Sequence, residues 1–231
     1  MDDLTTSAAI LAAGLGVAKP VVETGCKLIE NLLSEPCKVA GAMLADEMYI
    51  WQWKNRINMA NRAKEIMDEN GIAERVLPRG FLLPLLQHAG NVDESSLQEM
   101  WAQLLASSVE DSKHQHPGYV NTLAQITVTD AKLLEILYQA HIVCMGKIHG
   151  EYPDADTTDP HISLGDAVNL IGQEQGLIRI AFENLIRLGL ATSPLFWGPD
   201  PGSMLGEIVN LNQPKIFISG YGIYFCQACT G

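Results

Sequence analysis

The stretch "VAGAMLADEMYIWQWKNRINMANRAKEIMDENG" (residues 39–71) constrains the fold most, because its apolar residues recur with the period of an α-helix. Val39, Met43, Ile50, Ile57, Ala60 and Met67 stand three, four or seven residues apart, and Trp51 and Trp53 are expected to widen that face. Asn70-Gly71 ends the pattern as a helix C-cap. The spacing predicts one long amphipathic helix inside a helical N-terminal region that starts near Ser7. Pro20 and Pro36 fall at or near helix starts, where a missing N–H costs least.

Further helices follow. "LPRGFLLPLLQHAG" reads as a short apolar helix that Pro84 kinks or starts. "NVDESSLQEMWAQLLASSVED" offers Asn91 or Asp93 as N-cap and acids in its first turn. It places Leu97, Met100, Trp101, Leu104 and Leu105 on one face. Beyond "KHQHPG" a helix is expected over about Tyr119 to Ile126, and Thr127 or Thr129 caps another that runs to Gly146.

"HGEYPDADTTDPHIS" is polar and turn-rich, so residues 151–160 read as a linker or exposed loop between a helical domain (1–150) and a second domain (161–231). In the second domain Ser163 caps a short helix, and a helix from about Glu174 to Leu188 stops at Gly189. "ATSPLFW", "EIVNLN" and "KIFIS" are short β-like runs around the loop "GPDPGS", and Ser219 caps a last helix. The expected class is mainly α, with a winged-helix-like α+β part at the C-terminus.

That order raises the question of DNA binding, and charge answers it. The 231-residue chain carries a net charge of −12. Residues 1–89 hold 9 basic and 11 acidic side chains, residues 90–159 hold 3 and 11, and residues 160–231 hold 3 and 5. After residue 160 the only cations are Arg179, Arg187 and Lys215. A DNA reader needs clustered cations on phosphates and polar side chains on base edges. If Ala181, Leu185 and Leu188 face the core, then Arg179, Glu183, Ile186 and Arg187 point outward, and the expected wing holds Asp200 and no cation. Nucleic acid is therefore disfavoured as a partner.

No catalytic, cofactor-binding or metal-binding set emerges. Cys226 and Cys229 form C-x-x-C without a second pair to complete a zinc site, and read as small buried hydrophobes. His114 and His116 are expected in a polar turn and His141 half-buried on a helix, none within a zinc-protease pattern. "AAGLGVAKP" lacks the G-K-[ST] ending of a phosphate loop. Asp93, Glu94 and Glu99 cluster as paired carboxylates do, but the first two are explained by a helix N-terminus. Five cysteines, an odd number, and an acidic start before the apolar run "SAAILAAGLGVA" predict a reduced, cytoplasmic protein with no transmembrane helix. A membrane-perturbing use of residues 7–22 stands as a further alternative.

Two stretches carry a resemblance. "LLPLLQHAGNVDESSLQEMWAQLLASSVED" and "HPGYVNTLAQITVTDAKLLEIL" resemble the core of the Abi-alpha (abortive infection protein alpha) family of bacteria. "NLIRLGLATS" and "IFISGYGIYFCQAC" are similar to its C-terminal ending. The resemblance covers about residues 77–144 and 184–229, and the Trp101 helix is its most specific piece. It implies a helical core, a small C-terminal α+β part and a role in abortive infection, in which an infected bacterium is arrested or sacrificed. It brings no catalytic residue. The matching residues Trp101, Leu104, Leu105, Pro117, Tyr119, Leu123, Asp130, Gly189 and Gly222 also read individually as core, cap or turn positions. The expectation is a non-enzymatic interaction protein with a protein partner or a second copy of itself, and a winged-helix transcription regulator is the rival.

Overall fold

A computed structural model describes residues 18–33, 47–148, 161–193 and 215–230. Within these, the chain is mainly helical with one small antiparallel sheet. Packing divides it into two compact units, residues 1–125 with 228–231 and residues 126–227. The expected linker, residues 151–160, lies outside the described residues, and so do Val39, Met43, "EIVNLN" and "GPDPGS".

The first unit is a helical assembly around α2 (Glu47–Glu69), which packs against α1 (Lys19–Leu33) and α4 (Ser95–Glu110). Ile57, Ala60 and Met67 are buried at helical spacing, as the periodicity predicts, and Trp53 is buried beside them, whereas Ile50 is only half-buried. Trp51 is 37% exposed and does not join them. Two residues before Trp53 it lies about 200° round the helix, so both indoles cannot share one face. Where α1 crosses α2 the approach is close, since a Cβ on Gly25 would sit 3.1 Å from Ile57 atoms. Gly71 ends α2 in the left-handed conformation (φ 68°), and Ile72 N–H donates to Met67 O at 2.8 Å.

Helix α3 (Arg79–Ala89) starts after Pro78, so Pro84 neither starts it nor stands in its first turn. It lies inside the helix, where it withholds one backbone donor. In α4 all five predicted core residues are buried, Trp101 with 1% exposure, and His88 stacks on its indole at 6.3 Å. The N-cap of α4 is Glu94 with no side-chain cap, and its first turn holds no acid, in contrast to the expectation. Gln98 takes over the work at that end by donating to Ala89 O at 2.8 Å and to Val92 O, which fastens the α3–α4 turn. A 3₁₀ turn (Ser112–His114) leads to α5 (Pro117–Leu123), with Pro117 in the first turn and His116 Nδ1 accepting from Gly118 N–H. His116 is exposed as a turn residue should be, but His114 is buried. Its Nδ1 lies 3.3 Å from Ser107 O, and its own carbonyl accepts from the Ser108 hydroxyl at 3.2 Å.

The second unit is built on α6 (Val128–Ile148), which packs against α7 (Leu164–Ile171), α8 (Gln175–Arg187) and the strands β1 (His161–Ser163) and β3 (Lys215–Ile218). With β2 (Ala191–Thr192) they form a sheet of order β1-β3-β2, antiparallel throughout, with Ile162 opposite Ile216 and Ala191 opposite Ile218. Strand β1 occupies residues read only as the start of a domain. Three residues are too short to show a period, and only pairing with β3 makes them a strand. Ser163 then caps α7 through Asp166 N–H at 3.1 Å, and Gly189 closes α8 with φ 73°. The last helix, α9 (Gly220–Cys229), begins where Ser219 Oγ accepts from Gly222 N–H at 2.9 Å.

Candidate functional site

The residues that carry the resemblance divide into core, cap and surface positions. Trp101, Leu104, Leu105, Tyr119 and Leu123 are buried in the first unit, and Pro117 is exposed at a helix start. Asp93 and Glu94 are exposed, whereas Glu99 is held by Arg62 in a two-pronged ion pair, Nε–Oε2 at 2.8 Å and Nη2–Oε1 at 3.0 Å, that links α2 to α4. The Glu99 and Glu65 carboxylates raise the Arg62 pKa further above its usual value. The three acids therefore do not form a joint acid–base site.

Asp130 is the buried acid among the described residues of the second unit, with 1% exposure. Its Oδ2 accepts from Thr127 N–H (2.8 Å), Thr127 Oγ1 (2.9 Å) and Asn184 Nδ2 (2.8 Å). Thr127 Oγ1 in turn accepts from Asp130 N–H at 3.3 Å, which completes a reciprocal cap at the start of α6. The bond to Asn184 fastens that cap to α8, so the role of Asp130 is to position two helices. Thr129, the other predicted cap, donates to Gln173 at 2.8 Å.

A shallow cleft of about 250 Å³ lies between α6 and α9 in the same unit. Tyr138, His141, Ile142 and Met145 line one side, Ile223 and Gln227 the other. Burial raises the Tyr138 pKa, and the Gln227 side chain hydrogen-bonds its hydroxyl. Tyr138 and His141 are the titratable groups of that lining, and the rest of it is apolar or amide. Cys226 and Cys229 are fully buried, as expected of small hydrophobes, and burial pushes the Cys226 thiol up to about 12. Such a thiol stays protonated and is a poor nucleophile. Cys144 is buried as well, and His141 is half-buried on the rim of the cleft. Among the described residues no group of three or more His, Cys, Asp or Glu side chains could hold a metal ion, and no helix is long and apolar enough to cross a membrane.

Helix α8 presents the most unusual surface. Ile178, Ala181, Phe182 and Leu185 are buried, whereas Leu188, expected in the core, is only half-buried, as is Ile186. Arg179, Glu183 and Arg187 point outward as predicted. Two apolar neighbours also lie on the outer side, Leu177 (51% exposed) and Ile180 (64%), which spacing from Ala181 and Leu185 alone does not single out. Leu170, 65% exposed, stands on α7, which packs beside α8. Counting which apolar residues lie opposite Ile178 and Phe182 on the helix would have found Ile180. Arg187 donates through Nε and Nη2 to Asn184 Oδ1, so one of the two cations is already engaged within the helix.

No curated protein and no solved structure gives a significant match to the chain. A family model described as abortive infection alpha matches residues 54–229, which takes in α4, the Asp130 cap, α8 and α9. With well over half of its length matched, the chain belongs to the abortive infection alpha family.

Proposed function

We propose that this chain acts in phage defence as a non-enzymatic interaction protein, and that its working surface is the outward side of α8. Family membership supports the biological role. The observation that carries the mechanism is the makeup of that surface, where Leu177 and Ile180 stand exposed beside Arg179, Glu183 and Arg187. Apolar side chains rimmed by single charges fit a protein partner, because contact with protein removes them from water while the charges fix orientation. The same surface is poor for DNA. Glu183 would repel phosphate, and Leu177 and Ile180 read no base edge apart from a thymine methyl. The order α7, α8, β2, β3, α9 fits a winged-helix-like fold in which the helix that would read DNA serves protein contact instead.

The test is a plating assay in a susceptible host with a panel of phages. The wild-type chain is expected to reduce plaque formation for at least one phage or to arrest growth of infected cells. Ile180→Asp should abolish the effect with the protein still folded. Unchanged plating with every phage, together with no growth arrest on overexpression, would remove the phage-defence reading. Salt-sensitive binding of genomic DNA fragments would replace the mechanism with DNA recognition.

A further inference from the structure

The row of outward positions along α8 is Gly176, Ile180, Glu183 and Arg187, at steps of four, three and four. That spacing keeps them on one stripe, and the stripe is symmetric about the point between Ala181 and Phe182. A symmetric stripe can meet itself. If two copies of α8 cross antiparallel about a two-fold axis at that point, Ile180 of one packs on the Glu183 stem of the other, and Arg187 passes over Gly176. The Gly176 position has no side chain to obstruct it.

Charge singles out the same arrangement. Arg179 lies beside the stripe next to Glu183, and an antiparallel pair sets Arg179 of each copy against Glu183 of the other, twice by symmetry. Neither side chain has an ion-pair or hydrogen-bond partner among the described residues, although a spacing of four would let them meet within one helix. The chain is strongly acidic, and after residue 160 it has only three cations, of which this face holds two. Two copies with net charge −12 each repel, so they meet with least cost where cations stand.

We infer that the outward side of α8 is an isologous dimer interface, in which Arg179 and Glu183 form reciprocal ion pairs around Ile180 of each copy. This rests on the proposed reading of α8 as a protein-contact surface and names its partner as a second copy of the chain. A helix of 13 residues covers little area, so the dimer forms at micromolar concentration and dissociates on dilution.

Sedimentation velocity of the full chain over a concentration series tests it, with circular dichroism to check folding. Wild type is expected to shift from monomer to dimer. Arg179→Glu and Glu183→Arg alone each weaken the dimer at least tenfold by placing like charges together, and the double variant R179E/E183R restores it, because the swapped charges again meet across the two-fold axis. A monomer at all concentrations, or a dimer indifferent to either single change, overturns the interface, and so does a double variant no better than the singles. Phage plating by these variants and by Ile180→Asp separates this inference from the proposed function. Defence lost in Ile180→Asp from a chain that is always monomeric points to a different protein partner and sinks the dimer alone. A dimer that obeys the charge swaps in a chain with no effect on any phage sinks the functional reading and leaves the dimer standing.

Discussion

Helices α4 and α8 are both amphipathic, yet they use their surfaces in opposite ways. Nine of the sixteen residues in α4 are buried, among them Trp101, and so are four of the thirteen in α8. The most recognisable stretch of the sequence is therefore the one least able to touch anything outside the molecule. Large aromatic and aliphatic side chains in a fixed spacing specify packing, and packing is sensitive to single methylene changes. On α8 the burial of Ile178, Phe182 and Leu185 is enough to hold the helix, and this leaves Leu177 and Ile180 with no role in the core. A signature residue and a contact residue are different things here.

The sharpest way to break this contrast is to truncate the α4 anchor. Trp101→Ala should cost about 3 to 5 kcal/mol, because it removes a fully buried indole and leaves a cavity. Urea denaturation should show the loss in the first unit. In the second unit the matching test is Gly222→Ala. A Cβ there would lie 2.1 Å from Leu190 O and 2.9 Å from Ile218 Cγ1, and the first of these is backbone that cannot swing away. A loss of about 3 kcal/mol is expected, near the upper end of what overpacking costs. If the two substitutions lower a single transition equally, the units do not unfold independently.

Asp130→Ala comes next. It takes the acceptor from three donors and frees α6 from Asn184, for an expected cost of about 2 kcal/mol by chemical denaturation. A pH titration of stability should give a comparable effect at its alkaline end. The Cys226 thiol is raised from 9.0 to about 12 by burial, so between those values the folded state keeps a proton that the unfolded state loses. Stability must then fall as pH rises past 9, by at most about 1.4 kcal/mol per pH unit. Tyr138, also raised by burial, acts in the same direction. Cys226→Ala should flatten the slope, and an unchanged slope would show that the thiol is not responsible. The smallest effect on stability is expected for Ile180→Asp, below about 0.5 kcal/mol because the position is open to water. A large loss of stability there would mean that Ile180 belongs to the core and not to a contact surface.

Much of this fold is legible from residue order. The buried row Trp53, Ile57, Ala60 and Met67, the α4 core, the Ser163 and Ser219 caps and the glycine stops at Gly71 and Gly189 all follow from spacing or local chemistry. Each of these depends on residues within about one helical turn, where sequence distance and spatial distance agree. Sequence and structure part where that agreement ends. Hydrophobicity groups Trp51 with Trp53, although their angular positions differ. His114 sits in the expected turn between helices, but there it is buried, with Ser107 O and the Ser108 hydroxyl within hydrogen-bond distance.

The candidate surface was half legible. Helical spacing alone places Arg179, Glu183 and Arg187 outward, but exposed Leu177 and Ile180 look like core residues in a sequence. The sequence by itself determined the helical class, the family and most helix ends, because local periodicity, caps and turns are set by neighbouring residues. Tertiary structure alone decided that Asp130 binds Asn184, 54 positions away, that His161–Ser163 pairs with β3, and which apolar side chains of α8 stay in water. These depend on which elements arrive beside one another, and a side chain is buried only if another element comes to cover it.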